Sequence, residues 1–199
     1  MRADVVLAGV GGQGVITIAR LLAEAALAEG LCVVQGELHG MSQRGGAVQA
    51  QLRLADREIE SPQVTLGRAD LLLGLEPVEA LRSLAWLRPG GRVVTATRPV
   101  ENVSDYPPLE GVLQALRAIP GVLLVDAHEL AIEAGSARSE NFVMAGAAAA
   151  FLPIQPSTLR AAIERRAARW AEKDREAALR ALSAGEAAVR AGAAAPARS

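Results

Sequence analysis

The chain has 199 residues, which suits one domain, or one domain with a helical appendage. Hydrophobic residues make up 51% of it but aromatic residues only 3%, so Ala, Leu and Val must build the core. Lysine and arginine total 21 against 22 acidic residues, a net charge of −1 that gives no electrostatic case for nucleic acid or an anionic membrane.

The N-terminal run "DVVLAG" (4–9) is short, apolar and ends in glycine, as a buried strand of a parallel sheet does. It passes straight into glycines and is not a signal peptide. No window approaches the roughly 18 unbroken apolar residues of a membrane span, so a soluble cytoplasmic protein is expected. "GVITIARLLAEAALAEG" (14–30) predicts a helix with Ile16, Ala19, Leu22, Ala23, Ala26 and Leu27 inward and Gly30 as its stop. "LCVVQGEL" (31–38) predicts a second buried strand, with Cys32 as a small buried hydrophobe. One cysteine cannot form an internal disulfide, nor hold an iron–sulfur cluster, which needs about four thiolates. His39 and His128 lie far apart, without partners at metal-ligand spacing.

A polar, glycine-punctuated loop (39–46) follows, then "AVQAQLRLA" (47–55), which alternates. Val48, Ala50, Leu52 and Leu54 face one way, and Gln49, Gln51 and Arg53 the other. That predicts a half-solvated or interface strand. Further strands are expected at 69–77, 92–97 and 121–127, with a "PGG" turn at 89–91. Helices are expected at 77–87, with Pro77 in the first turn, at 109–119, and at 127–135, with Asp126 as N-cap. "ENFVMAGAAAAFL" (140–152) predicts a buried helix whose small residues admit another backbone. After Pro153 and Pro156 the chain is mostly helical and charged. Leu159, Ile163, Trp170, Leu179 and Leu182 form a thin apolar stripe, too thin for an independent core. The predicted fold class is α/β: a three-layer Rossmann-like sheet, mostly parallel with at least one antiparallel strand, plus a C-terminal helical extension. The expected divisions are a sheet domain at 1–156, helices at 157–190 packed on it or on a partner, and a flexible tail at 191–199.

Two stretches carry chemistry. In "LAGVGGQGVITIAR" (7–20), Gly9, Gly11 and Gly14 satisfy G-x-G-x-x-G between a predicted strand and a predicted helix. Such a loop brings backbone close to a ligand, and the helix N-terminus suits an anion. Glu37, 23 residues beyond Gly14, stands roughly where a dinucleotide fold places its ribose-binding acid. Gly12 and Gln13 complicate the match, and no crossover helix is predicted after the second strand. Spacing alone leaves a dinucleotide, another anion, or an unliganded tight turn all open.

The second stretch, "GELHGMSQRGG" (36–46), packs Glu37, His39, Ser42, Gln43 and Arg44 among glycines. Arg44 suits a phosphate or a carboxylate. No local pattern makes His39 a base or Ser42 a nucleophile, and His128 beside Glu129 reads as structural.

Together, "GVGGQGV", then "E-x-HGMSQRGG", then the alternating strand resemble the gamma-type domain of the 2-oxoacid:ferredoxin oxidoreductases. Within that family the chain resembles the small (beta) subunit of indolepyruvate:ferredoxin oxidoreductase. "NFVMAGAAAAFLPI", "RADLLLGLEP" and "KDREAALRALSAGEAAV" agree, so the resemblance spans roughly residues 4–190.

The resemblance implies a thiamine diphosphate-dependent oxidative decarboxylation of an aryl 2-oxoacid. Coenzyme A takes the acyl group, and electrons pass through iron–sulfur clusters to ferredoxin. Thiamine diphosphate and the clusters would lie in a large (alpha) subunit. This chain would then be a non-redox partner, inactive alone, with no metal or cofactor of its own and a homodimer as its form in isolation. By position, Gly9, Gly11, Gly12, Gln13 and Gly14 match the first family motif. Glu37, His39, Gly40, Met41, Gln43, Arg44, Gly45 and Gly46 match the second, and Asn141 begins the third. These are expected to bind cofactor or face the partner, both loops lying at the edge of the sheet beyond the strand C-termini. None is assigned catalysis. Two other readings stay open: a free-standing Rossmann-type NAD(P) or flavin oxidoreductase, and a gamma-type assembly module without activity.

Overall fold

A computed structural model of the chain describes residues 1–39, 46–101 and 105–194, with side chains described for all of these except 38, 39 and 192–194. Six strands form one sheet: β1 (Arg2–Val10), β2 (Cys32–His39), β3 (Ala47–Ala55), β4 (Ala69–Gly74), β5 (Leu87–Ala96) and β6 (Val122–Val125). Their order is β2-β3-β1-β4-β5-β6. β1, β4, β5 and β6 run parallel, while β3 is antiparallel to both β1 and β2. The sheet is therefore mixed and mostly parallel, as the patterning predicts.

Alternation along β1 builds both faces. Val5 and Leu7 enter the larger core, with α1 (Val15–Ala28), α4 (Ala127–Glu133), α5 (Glu140–Ala149), α6 (Pro156–Arg166) and α7 (Glu172–Ala194) on that side. Val6 and Ala8 enter a smaller cluster with Leu72 and Val93 on the other face. There α2 (Pro77–Arg82) and α3 (Leu109–Arg117) cover the β4–β6 half. This is a three-layer α/β fold.

Several expectations are corrected. β2 is an edge strand and Cys32 is exposed, because antiparallel β3 slots between β2 and β1. In α1 the buried face is Val15, Ile18, Ala19, Leu21, Leu22, Ala25 and Ala26; Leu27 points out at 58% exposure. The helix predicted over 77–87 stops at Arg82 and is followed by one 3-10 turn (84–86), since the chain must swing back into β5. "PGG" is no separator: it lies within β5, where Ala69 pairs with Leu87 and Leu71 with Arg92, so the intervening residues bulge. Trp170 is 40% exposed and meets Phe142 edge-on at 5.9 Å between ring centroids, rather than continuing the buried stripe. α7 runs to Ala194, beyond the expected start of the tail; 195–199 lie outside the described residues.

The outer face of β3 is closed by the segment leading to β4, not left to solvent. Gln51, 3% exposed, accepts through Oε1 from the Val64 backbone N–H at 2.8 Å. Arg53 donates to Asp4 Oδ1 at 2.9 Å and to the Ser61 carbonyl at 2.7 Å.

The small residues of α5 serve one purpose. A Cβ added at Gly146 would overlap the Leu182 carbonyl, and one added at Gly185 would overlap the Val143 carbonyl. Two glycines thus let α5 and α7 cross in backbone contact. That contact fixes the C-terminal helices on the sheet layer that carries Asn141.

Candidate functional site

The first glycine loop is held by its own glutamine. Gln13 Oε1 accepts from the Val10 backbone N–H at 2.8 Å, and Gln13 Nε2 donates to the Leu75 carbonyl at 2.8 Å. One carboxamide thereby ties the end of β1 to the end of β4. Gly9 leaves room for it, since a Cβ there would stand 2.9 Å from Gln13 Oε1 and 2.9 Å from Val15 Cγ2. Gly14 caps α1 at φ 86°, ψ 22°, in the left-handed region, and no side chain caps that helix. Its missing Cβ is what admits Asn141 alongside.

The two motif loops meet. Gly11 donates its backbone N–H to the carbonyl of Gly46 at 2.9 Å. Of the second motif, Gly40, Met41, Gln43, Arg44 and Gly45 lie outside the described residues, as does the side chain of His39, whose backbone pairs with Val48. Glu37 faces α1: it accepts from Gln35 Nε2 at 2.9 Å and stands 3.6 Å from Arg20 Nη2. Two strand spacings, about 10 Å, separate β2 from β1. A dinucleotide fold needs its ribose-binding acid on the strand next to β1; here β3 occupies that place. The free-standing NAD(P) or flavin reading loses its geometric basis.

Beside the glycine loop opens a cleft of about 390 Å³. Its walls come from the carboxyl ends of the parallel strands, where open α/β sheets place their sites: Gly12 and Gln13 after β1, Leu75 after β4, Arg98 after β5. Arg138, Glu140 and Asn141 close it from the segment entering α5. Asn141 is the one predicted residue from the third motif, and the fold brings it onto the first. Its Oδ1 is buried and has no hydrogen-bond partner among the described residues, an arrangement that costs about 1–3 kcal/mol.

Arg98 and Glu140 line the cleft, and His128 contacts both. Arg98 Nη1 lies 3.1 Å from Glu140 Oε1, and His128 Nδ1 lies 2.5 Å from the same oxygen. Arg98 also contacts the His128 ring. The Arg138 guanidinium has no side-chain partner among the described residues and is exposed. Sequence reading missed Arg98, Arg138 and Glu140, which stand in no motif and come from separate elements. It assigned His128 a structural place only. Among the described residues, no group of three or more His, Cys, Asp or Glu is disposed to hold a metal, and no helix is long and apolar enough to cross a membrane. The arrangement can receive an anion: two arginines and an uncapped helix N-terminus converge beside a carboxamide with bonding capacity to spare.

Residues 4–188 match the family model described as Pyruvate ferredoxin/flavodoxin oxidoreductase. The chain is 44% identical over 152 residues to "Indolepyruvate oxidoreductase subunit IorB" of Pyrococcus horikoshii, an overlap of 72% of this chain and 75% of that one. The fold matches the gamma subunit of a keto/oxoacid ferredoxin oxidoreductase from Geobacter sulfurreducens with TM-score 0.71 and 24% identity, covering 96% of this chain and 98% of that one. It also matches part of the 2-oxoglutarate:ferredoxin oxidoreductase from Magnetococcus marinus, solved with 2-oxoglutarate, coenzyme A and succinyl-CoA bound. The TM-score there is 0.77 with 22% identity, and the match covers 96% of this chain but only 31% of that much longer one.

Proposed function

Because the chain belongs to the pyruvate ferredoxin/flavodoxin oxidoreductase family, we propose that it is the non-redox small subunit of a cytoplasmic 2-oxoacid:ferredoxin oxidoreductase acting on indolepyruvate or a similar aryl pyruvate. The resemblance to the indolepyruvate oxidoreductase subunit of Pyrococcus horikoshii supports that substrate class. Thiamine diphosphate and the iron–sulfur clusters belong to a large partner subunit, where they supply the oxidative decarboxylation and carry electrons to ferredoxin. Coenzyme A takes the acyl group.

This chain's part is to complete the assembly and to receive coenzyme A in the cleft beside the glycine loop. One observation carries the reading. The two motif loops are joined through Gly11 and Gly46 at the sheet edge that also bears Arg98, Arg138 and the Asn141 oxygen, which has no partner among the described residues. Arginines and a helix N-terminus are complementary to phosphates. A carboxamide is complementary to the amides of a pantetheine arm. The loops of the second motif, including His39, Gly40, Met41, Gln43, Arg44 and Gly45, face the large subunit in this reading. Purified without that partner, the chain pairs with itself through the surface so exposed.

The test is co-purification with the large subunit, followed by viologen reduction with indolepyruvate and coenzyme A. Turnover should need both chains. Arg98→Gln should raise the KM for coenzyme A by roughly tenfold, the worth of one charge-assisted hydrogen bond, with kcat little changed. Viologen reduction by the isolated chain, or its binding of NADH at micromolar concentration, would contradict the proposal.

A further inference from the structure

We infer that a second cavity, between the turn before α5 and the first turn of α7, is a phosphate subsite that takes the 3′-phosphate of coenzyme A. The inference rests on the reading that the cleft receives coenzyme A.

The second cavity has a volume of about 430 Å³. Ala137 and Arg138 line both it and the cleft, so the two hollows adjoin at the 3-10 turn that holds these residues, Ala137–Ser139. The described lining of the second cavity carries three cations, Arg138, Lys173 and Arg180, against one acid, Asp174. The chain as a whole has a net charge of −1, so this concentration of positive charge is local.

Two of the cations are uncommitted. Arg138 and Lys173 are exposed, and neither makes an ion pair among the described residues. The glutamates beside Lys173 on α7 are turned elsewhere: Glu172 Oε1 stands 4.0 Å from Arg175 Nη2, and Glu176 Oε2 stands 3.2 Å from Arg180 Nη1. Arg180 is fixed in place. Its Nε donates to the Ala134 carbonyl at 2.9 Å. Gly135, at φ 105°, leaves room for the guanidinium, since a Cβ there would stand 3.0 Å from Arg180 Nη2. That Nη2 has no acceptor among the described residues. A guanidinium anchored to backbone and still offering N–H groups loses little freedom when an anion arrives.

Two adjoining cationic hollows match a ligand whose phosphates stand in two groups. Coenzyme A carries a pyrophosphate and, across the ribose, a 3′-phosphate monoester. Arg98 serves the first group in the cleft. Lys173 and Arg180 serve the second, and Arg138 stands on the divide. A phosphate monoester carries a charge of about −1.5 to −2 at neutral pH, enough to engage more than one of these cations. Size agrees as well. Pockets of roughly 300–1,000 Å³ enclose drug-sized ligands, and coenzyme A, a larger molecule, extends beyond a cleft of about 390 Å³.

The test is calorimetric titration of the two-subunit enzyme with coenzyme A and with 3′-dephospho-coenzyme A, for the wild type, Lys173→Gln, Lys173→Glu and Arg98→Gln. Lys173 lines the second cavity and not the cleft, and it is exposed, so its replacement disturbs no packing. The wild type should bind coenzyme A more tightly than the 3′-dephospho form, by a margin that shrinks as salt rises. Lys173→Gln should weaken coenzyme A roughly three- to fivefold, the worth of one solvent-exposed charge contact. Lys173→Glu should weaken it further. Both variants should hold the 3′-dephospho form as the wild type does, whereas Arg98→Gln should weaken both ligands. Equal losses for the two ligands in Lys173→Gln, or no loss for either, with Arg98→Gln still weakening both, would overturn this inference alone. Unchanged affinity of Arg98→Gln for both ligands would remove coenzyme A from the cleft, and with it the reading on which the inference rests.

Discussion

Gly11 and Gly46, 35 positions apart in sequence, share a backbone hydrogen bond of 2.9 Å. It splices the turn after β1 to the residue that leads into β3.

Gly14→Ala should destabilise the chain by about 1–2 kcal/mol for the left-handed backbone alone. It should cost more in total, because the new methyl would stand 2.9 Å from Asn141 Nδ2. Gly12 has φ 100° but open space where a Cβ would go, so Gly12→Ala should cost the backbone part only. Unfolding midpoints of the two variants compare them directly; equal losses would mean that the contact with Asn141 carries no weight.

Gln13→Ala strands the Val10 N–H and the Leu75 carbonyl, and should lose about 1–3 kcal/mol in denaturant titration. Gln13→Glu keeps an acceptor for Val10 but sets a carboxylate against the Leu75 carbonyl. It should be at least as damaging. A glutamate variant as stable as the wild type would refute the clamp.

Gly146→Ala and Gly185→Ala should each cost about 3 kcal/mol or more, because the obstacle is backbone and cannot rotate away. Hydrogen exchange should show α7 losing protection before the β1–β4 pair. Uniform loss across the sheet would show instead that α7 is not a separable layer.

Tyr106 donates to Glu76, a carboxylate only 1% exposed that also accepts from the Glu79 backbone N–H at 2.9 Å. Burial first, and the Glu76 carboxylate second, push the Tyr106 phenol up from its ordinary value. A raised folded value means that the stability it contributes is complete below about pH 10 and declines as pH climbs above that, where the unfolded phenol ionises. Tyr106→Phe should lose about 1–3 kcal/mol near neutrality. The gap from wild type should shrink above pH 10 in denaturation curves. A constant gap would show that the phenol is not held in its protonated form.

Much of this could be read from local pattern. Runs such as "DVVLAG" and "ADLLLG" are strands because continuous apolar residues bounded by glycine are buried on both faces. Asp126 caps α4 as its position suggests, accepting from Glu129. The pairing of the two glycine motifs identified the family, and the small residues of "NFVMAGAAAA" announced a close helix contact. The errors have a common origin. Cys32 and Leu27 are exposed because burial depends on which strand or helix lies alongside, and the apolar pattern of "LCVV" reads the same at an edge as in the middle. "PGG" has turn chemistry, yet hydrogen bonding to β4 on either side absorbs it as a bulge.

The sequence by itself determined the class of fold and the family, because the apolar runs and paired motifs that carry them depend on neighbours within a few residues. Tertiary structure decided the rest. It slotted β3 between β1 and β2, which carried Glu37 away from the glycine loop. It brought Arg98, Arg138, Glu140 and Asn141 to one cleft, with His128 in contact with Arg98 and Glu140. Contacts of that kind are made by strand order and helix packing, and the spacing of residues along the chain contains no record of either.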